Sequence, residues 1–313
     1  MNRTHNAHSP PRRLPARRIA AIAGVAIVIS GAIVAAITLR PLDGPLAGSS
    51  GFTGMTGFGG VDRTADAQLA QFPGAGPSFD LSNATIPTDQ IRAGGPPKDG
   101  IPALTDPTMV PADRAGYLRP DDRVIGYAAD GEARAYPLRV LNYHEIVNDR
   151  VAGTPIAVTY CPLCDSAAIF DRRTPVGLRE FGVSGLLYNS NVLMYDRGGQ
   201  PESLWSQVLG AGVSGPAAGK RLTALPVELT TWRDWSERYP QTSVLSAETG
   251  HPRDYRSNPY DGYLTSPGVM FPVTSTSDRL PAKQLVLGVW VGDTSKAYPL
   301  SAFGEEPVGV SET

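Results

Sequence analysis

An apolar segment from Ile19 to Leu39 divides the chain into two parts with different surroundings. Apart from two glycines, Ser30 and Thr38 it is entirely aliphatic, and as a helix it is long enough to cross a hydrocarbon core of about 30 Å. The tail before it, residues 1–18, carries five arginines and no acidic residue. The positive-inside rule therefore predicts a cytoplasmic tail, a membrane anchor at residues 19–39 whose partner is the lipid bilayer, and an extracytoplasmic remainder.

A cleaved signal peptide is the alternative interpretation of the same segment. The apolar region of a signal peptide is usually shorter and ends at a small-x-small site, which Ala47-Gly48-Ser49 could supply. Cleavage would make the protein secreted, and retention would make it a single-pass membrane protein. Both interpretations place the remainder of the chain outside the cytoplasm.

The charge balance of this remainder disfavours nucleic acid as a partner. The chain has 28 basic and 30 acidic residues, and five of the basic residues lie in the tail. The remainder is therefore acidic, with a net charge of about −7. It contains no basic stripe that could follow a phosphate backbone. We expect no binding to nucleic acid.

Glycine and proline set the organisation of the exported part. Residues 40–90 are rich in both and show no helical or strand period, which predicts a flexible linker followed by one domain at residues 91–313. The whole chain has 34 glycines and 29 prolines, so we expect many turns and few long helices.

Two similar segments indicate β-hairpins. Residues 124–138 (VIGYAADGEARAYPL) carry strand-forming residues on both sides of Asp130-Gly131, a dipeptide that suits a tight hairpin turn. The pattern returns at residues 286–300 (VLGVWVGDTSKAYPL), where Val, Gly and Ala-Tyr-Pro-Leu repeat in register. We predict an α+β, β-rich fold with antiparallel strands, hairpins and few short helices, and an internal duplication; chance similarity of two hairpins is the alternative.

The only two cysteines lie two residues apart, in Cys161-Pro162-Leu163-Cys164. The preceding IAVTY is typical of a buried strand, and the following segments favour another strand, a turn and a strand. A thioredoxin-type site would instead continue into a long helix. Before the first strand, residues 138–149 (LRVLNYHEIVND) predict a short buried helix that contains His144.

Six segments give the chain a family resemblance. In order they are GGPPKDGIPAL, GEARAYPLRVLNYHEIVND, VTYCPLCDSAAIFDRR, FGVSGLLYNSNVLMYDR, SLWSQVLGAGVSGPAAGKRLTALP and TGHPRDYRSNPY. Together they resemble the uncharacterised bacterial and archaeal family catalogued as domain of unknown function 3179, over roughly Ile91 to Phe303. The resemblance implies an exported, β-rich domain and no particular activity.

Familiar enzyme motifs fail on inspection. Residues 210–215 match G-x-G-x-x-G, but Pro216 and further glycine replace the helix that would bind a pyrophosphate. His144-Glu145 begins H-E-x-x-H, but residue 148 is Asn.

The segment from Tyr188 to Asp196 is polar and aromatic. It predicts a ligand pocket, although an alternating strand would have the same sequence; the candidate pocket residues are Tyr188, Asn189, Tyr195 and Asp196.

The cysteine pair remains the main functional candidate. Outside the cytoplasm it could cycle between dithiol and disulfide. Two thiolates also suit a soft metal such as copper or zinc, with His144 as the natural nitrogen ligand, and we expect His144 to lie near Cys161 and Cys164. The competing interpretation is a non-catalytic ligand-binding or scaffold domain whose cysteines only shape a loop. Whether the protein is an enzyme stays open at this stage.

Overall fold

The computed structural model describes residues 79–274, 276–291 and 294–302. The basic tail at 1–18, the predicted anchor at 19–39 and residues 40–78 of the predicted linker lie outside these residues. None of the helices in the described ranges has the length and apolar character needed to span a membrane.

Short strands dominate the described part of the chain, and its α-helices have at most two turns. The strands are β1 (Ile91–Ala93), β2 (Leu104–Thr105), β3 (Met109–Pro111), β4 (Arg123–Ala129), β5 (Glu132–Pro137), β6 (Ile146–Val151), β7 (Thr154–Cys161), β8 (Ser166–Asp171), β9 (Arg173–Thr174), β10 (Gly177–Leu178), β11 (Glu180–Tyr188), β12 (Asn191–Arg197), β13 (Leu204–Ser206), β14 (Ala211–Gly212), β15 (Ala224–Leu225), β16 (Glu228–Thr231), β17 (Ser243–Leu245), β18 (Val286–Val291) and β19 (Thr294–Pro299). The helices are α1 (Leu138–His144), α2 (Trp232–Arg238) and α3 (Asp261–Thr265).

Three five-stranded sheets organise these elements. Their strand orders are β16-β4-β5-β17-β3, β15-β8-β7-β6-β2 and β1-β11-β12-β13-β14. Within these sheets the pairs β5/β17 and β2/β6 are parallel, and the other pairs are antiparallel. The prediction of a β-rich fold with antiparallel sheets and few short helices is confirmed.

The predicted hairpins are both present. In the first, Asp130 and Gly131 take φ angles of 47° and 82°, as a tight hairpin turn requires. Val124 pairs with Pro137 there, and Val286 pairs with Pro299 in the second hairpin. Every other pair follows the same offset, so the two hairpins share one register.

The first hairpin is central in its sheet and packs against α2. Gly126 has no side chain because the indole of Trp235 occupies that space: a Cβ atom would lie 2.2 Å from the ring. Trp235 and Trp205 are almost fully buried, as expected for core residues. Thr231 caps α2 by accepting a hydrogen bond from the Asp234 N–H.

The sheet with strand order β15-β8-β7-β6-β2 and the helix α1 position the cysteine segment. The helix packs its apolar side chains against β4, β5 and β7, in the largest hydrophobic cluster of the described residues. The helix ends at His144, earlier than the sequence indicated, because Glu145 adopts a φ of 56° that a helix cannot contain. Ile146 to Val151 then forms β6, which pairs with β7. The chain from Ile146 to Cys161 is therefore a complete hairpin, and residues 146–149, which we expected in the helix, belong to its first strand.

Candidate functional site

The two cysteines lie in the turn between β7 and β8. Cys161 is the last residue of β7 and pairs with Ser166, the first residue of β8. The Cys164 N–H donates to the Cys161 carbonyl over 3.3 Å, which closes a β-turn with Pro162 at its second position. Proline favours that position because its φ angle is already fixed near the required value. The local sequence therefore builds a turn that carries a thiol at each end.

Contacts from outside the turn hold it in place. Asp165 accepts hydrogen bonds from the Tyr160 hydroxyl at 2.8 Å and from the Arg123 guanidinium at 2.9 Å. The Tyr263 hydroxyl of α3 donates to the Leu163 carbonyl at 2.7 Å, inside the turn itself. The position of the cysteines is thus fixed by β4, β7 and α3 together.

The two thiols have different environments. Both are free, but Cys161 is 1% exposed whereas Cys164 reaches the solvent. The Cys161 sulfur lies 3.9 Å from the Ser190 carbonyl oxygen. A hydrogen bond from the Cys161 thiol is the largest influence that lowers the pKa of Cys164, to about 6. The same hydrogen bond, followed by burial, raises the pKa of Cys161 well above its ordinary value. Cys164 is therefore the thiolate of the pair, and Cys161 holds the proton.

Two opposing influences act on the ionisation of Cys164. Its side chain is accessible, yet the protein atoms around it are dense enough for burial to oppose its ionisation. The hydrogen bonds from Cys161, Ser166 and Asn191 act in the opposite direction and together prevail. These contacts outweigh burial because they are directional and lie at the sulfur itself.

Two side-chain amides orient a donor toward Cys164. The Asn191 Nδ2 lies 3.1 Å from the Cys164 sulfur and 2.8 Å from the Gln207 Oε1. The Asn191 Oδ1 accepts the Val208 N–H at 3.1 Å. The Gln207 Nε2 donates to the Ser166 carbonyl at 3.1 Å. Since each amide bonds a backbone group that can only donate or only accept, the N–H of Asn191 must face the sulfur.

The hydroxyl of Ser166 completes the surroundings of the Cys164 sulfur. Its Oγ lies 3.1 Å from that sulfur and donates to the Gln207 Oε1 at 2.8 Å. A protonated Cys164 can donate to this oxygen, and a thiolate can instead receive the hydroxyl proton after a rotation of Ser166. Ser166 therefore suits both protonation states.

Glu145 places a buried carboxyl group next to the pair. Its backbone joins α1 to β7, because its N–H donates to Leu141 and its carbonyl accepts the Tyr160 N–H at 2.8 Å. Its side chain is 6% exposed. Burial, followed by the negative charge of Cys164, raises the pKa of Glu145 to about 8. At neutral pH Glu145 is therefore mostly a protonated acid.

His144 is engaged elsewhere. Its Nδ1 lies 2.7 Å from the Pro102 carbonyl, which can only accept, so the proton is on Nδ1 and the Nε2 accepts from the Tyr255 hydroxyl at 2.6 Å. The ring is fully buried, and burial lowers its pKa to about 4. The structure does not bring it together with Cys161 and Cys164 through any hydrogen bond. Nowhere in the described ranges do three His, Cys, Asp or Glu residues form a group that could hold a metal ion.

The predicted ligand-pocket residues lie along the β11–β12 hairpin. Tyr188 and Tyr195 pack in one hydrophobic cluster, and the Tyr195 hydroxyl bonds Asp99. Asn189 lies in the turn and accepts hydrogen bonds from Thr274. Asp196 is buried and accepts the Ser203 N–H at 2.5 Å. These hydrogen bonds engage the polar groups of Asn189, Tyr195 and Asp196. A pocket formed by the four residues stays a prediction.

Several residues of the site were not identified from the sequence. Asn191 belongs to the same polar segment as Tyr188 and Asp196, but no pattern distinguishes it. Ser166 follows the motif by two residues, and Gln207 is 41 residues further on. Glu145 was one of many scattered carboxylates, and no local pattern distinguished it.

Comparison with known proteins assigns the family. The model of a family described as a protein of unknown function (DUF3179) matches residues 98–312, and the chain belongs to this family. No curated protein and no solved structure matches the chain. The resemblance noted from the sequence motifs is confirmed, and it brings no activity with it.

Proposed function

We propose that this DUF3179 protein is a thiol–disulfide exchange protein that uses Cys164 as its entry sulfur and Cys161 as its resolving sulfur. The observation that supports this most strongly is the contrast between the two thiols of one fixed turn. Cys164 is exposed and receives an N–H from Asn191, whereas Cys161 is buried and protonated. Exchange needs an accessible thiolate and a second thiol that waits beside it.

The reaction follows from these positions. The Cys164 thiolate attacks a disulfide of the substrate, which forms a mixed disulfide and expels one substrate thiolate. Cys161 then loses its proton, attacks the Cys164 sulfur and releases the second substrate thiolate. The products are the Cys161–Cys164 disulfide and two substrate thiols, so electrons and atoms balance.

Glu145 is the group that can take the proton from Cys161. Part of the increase in its pKa comes from the charge on Cys164, and the mixed disulfide removes that charge. The acidity of Glu145 therefore rises at the step in which a carboxylate is needed, and the proton of Cys161 can pass to it. The coupling would make resolution slower when Glu145 cannot ionise.

The stoichiometry of oxidation tests the proposal. Reduced full-length protein is mixed with glutathione disulfide, and the thiols released and the disulfides formed are followed by mass spectrometry. We expect each chain to release two molecules of reduced glutathione and to form one Cys161–Cys164 disulfide. The Cys164→Ser variant should stay unmodified because Cys161 is buried. Equal modification of Cys161 in that variant would contradict the assignment.

A soft metal is the competing occupant of the same thiols. Two free sulfurs in one turn can ligate Cu(I) or Zn(II), although no third protein ligand is present among the described residues. Metal analysis of protein purified without reductant separates the alternatives. One metal ion per chain that blocks the reaction with glutathione disulfide would replace exchange by metal binding as the function, and a purely structural role would give neither result.

The compartment belongs to the proposal as well. An anchor at residues 19–39, with residues 1–18 in the cytoplasm and the domain outside, would place the site where disulfides persist. A reporter fused after Thr313 should be active only outside the cytoplasm. Activity of a cytoplasmic reporter would contradict this topology.

We also propose that the two hairpins arose by internal duplication. The shared register, the equal spacing of Gly126 and Gly288 from their strand ends, and the repeated Ala-Tyr-Pro-Leu support it. Relatives should show correlated residue preferences at matched positions of the two hairpins, and independent preferences would favour chance similarity.

A further inference from the structure

The hydrogen bond from Asn191 to the Cys164 sulfur has a direction that the backbone imposes. If the Asn191 amide were turned over, its NH₂ group would face the Val208 N–H, and its oxygen would face the Gln207 Oε1. Both contacts would be repulsive. Gln207 cannot turn over either, because its oxygen would then face the Ser166 carbonyl. The two amides form a fixed relay, which ends with an N–H at the sulfur.

The hydrogen bonds of this relay stabilise the reduced and the oxidised state of the site to different extents. A thiolate is a strong acceptor, so a hydrogen bond to the Cys164 thiolate stabilises the reduced protein. A disulfide sulfur is a weak, uncharged acceptor and gains much less from the same N–H. The hydroxyl of Ser166, 3.1 Å from the sulfur, acts in the same way when it turns from Gln207 to the thiolate. Two donors thus favour the dithiol state.

We infer that the site works as a disulfide donor, which oxidises pairs of cysteine thiols on a polypeptide. The inference rests on the proposed exchange function and adds its direction and substrate class. Stabilisation of the reduced state makes a dithiol/disulfide couple more oxidising. A pair of thiols on one chain is required, because the second thiol must release the protein from the mixed disulfide.

The transfer balances without any further reactant in a single turnover. A substrate thiolate attacks the exposed Cys164 sulfur of the oxidised protein, and Cys161 leaves and takes a proton. The second substrate thiolate attacks the substrate sulfur of the mixed disulfide, and Cys164 leaves as a thiolate that Asn191 and Ser166 stabilise. The substrate loses two electrons and forms its disulfide. The protein gains them as the Cys161 thiol and the Cys164 thiolate. Of the two protons that the substrate dithiol loses, one is then on Cys161 and one is in the solvent.

Equilibration with glutathione tests the direction. Purified full-length wild type, Asn191→Ala and Ser166→Ala are incubated in buffers of defined glutathione ratio, and the disulfide fraction is measured after acid quench and alkylation. Asn83→Ala is the matched control, because Asn83 bonds the backbone of Gly215 and not the sulfur. We expect each of the first two variants to stabilise the disulfide about tenfold, which is a potential about 30 mV lower. The control should match the wild type.

The second arm mixes oxidised wild type with an equimolar reduced peptide that carries two cysteines. We expect the disulfide to move to the peptide within one turnover. Exchange that occurs in both directions while Asn191→Ala and Ser166→Ala leave the equilibrium unchanged would overturn the donor inference and leave the exchange function intact. Absence of any Cys161–Cys164 disulfide, or of any mixed disulfide, would overturn both. Ser166→Ala keeps the test decisive if Asn191→Ala does not fold.

Discussion

The pH dependence of Cys164 reactivity follows from its hydrogen bond with Cys161. The pKa of Cys164 falls from an ordinary value of 9.0 to about 6, and the Cys161 thiol is the largest cause. At pH 7 about 90% of Cys164 is then a thiolate, against about 1% for a thiol with a pKa of 9. Replacement of Cys161 by Ala removes this donor but keeps Asn191 and Ser166. We therefore expect the pKa of Cys164 to move upward without reaching 9.

The expected rates decide which measurement is informative. A thiolate with a lower pKa is also a weaker nucleophile, and a Brønsted coefficient of about 0.45 reduces its intrinsic rate about 20-fold over three pKa units. The gain of about 90-fold in thiolate fraction therefore leaves a net advantage of only about fourfold at pH 7. The absolute rate is a poor test, and the shape of the pH profile is a good one.

The assay is stopped-flow reaction with an aromatic disulfide between pH 4.5 and 9.5. In wild type the rate should rise around pH 6 and be constant above about pH 7. In Cys161→Ala the midpoint should lie at least about one pH unit higher, which corresponds to about 1.4 kcal/mol. Cys164→Ser supplies the background. A wild-type midpoint near 8.5, or identical midpoints in wild type and Cys161→Ala, would refute the reasoning.

Three predictions concern the free energy of unfolding, measured by urea titration. Gly126→Ala should destabilise the fold by about 1–3 kcal/mol through collision with Trp235, while Gly116→Ala, which meets nothing within 4 Å, should not; equal effects would contradict the packing. Folding lowers the pKa of His144 from 6.5 to about 4, so His144 contributes stability above pH 6.5 that is lost as the pH falls toward 4. His144→Gln should remove up to about 3 kcal/mol of the pH dependence of the free energy of unfolding in this range. The same pH profile in the variant and in wild type would contradict this assignment. Folding raises the pKa of Glu145 from 4.5 to about 8, so its contribution to the free energy of unfolding is present below pH 4.5 and is lost as the pH rises toward 8. The wild-type free energy of unfolding should therefore decline by about 3 kcal/mol between pH 5 and 7.5, and Glu145→Gln should remove this decline. A decline that persists in the variant would exclude Glu145 as its source.

Local patterns were enough to predict the two hairpins and the strand before the cysteines. The Asp130-Gly131 turn and its flanking strands follow from short-range backbone preferences, and so does the strand that ends at Cys161. The end of α1 was mislocated, because the φ angle of 56° at Glu145 depends on hydrogen bonds to β7 and on no residue-type preference of Glu. Tertiary contacts override propensity at that position.

The site itself was only partly predictable. The Cys-x-x-Cys spacing identified the thiols, but the donor to Cys164 is Asn191, 27 residues away. Asn191 is in turn oriented by Gln207, a further 16 residues along the chain. Their convergence depends on the packing of β12 and β13 beside the turn, which no short-range pattern encodes. His144 was expected near the cysteines because it is a natural nitrogen ligand and the segment after it can return the chain to the turn. The carbonyl of Pro102 and the hydroxyl of Tyr255 lie at its ring nitrogens, and its proximity to the cysteines stays a prediction.

The most direct test of the proposed exchange function is to trap its intermediate. The Cys161→Ser variant lacks the resolving thiol, so a mixed disulfide formed on Cys164 should persist. Incubation with glutathione disulfide at pH 7, followed by acid quench and peptide mapping, should give one glutathione per chain, attached to Cys164. A protein that remains unmodified while wild type also forms no internal disulfide would contradict the account.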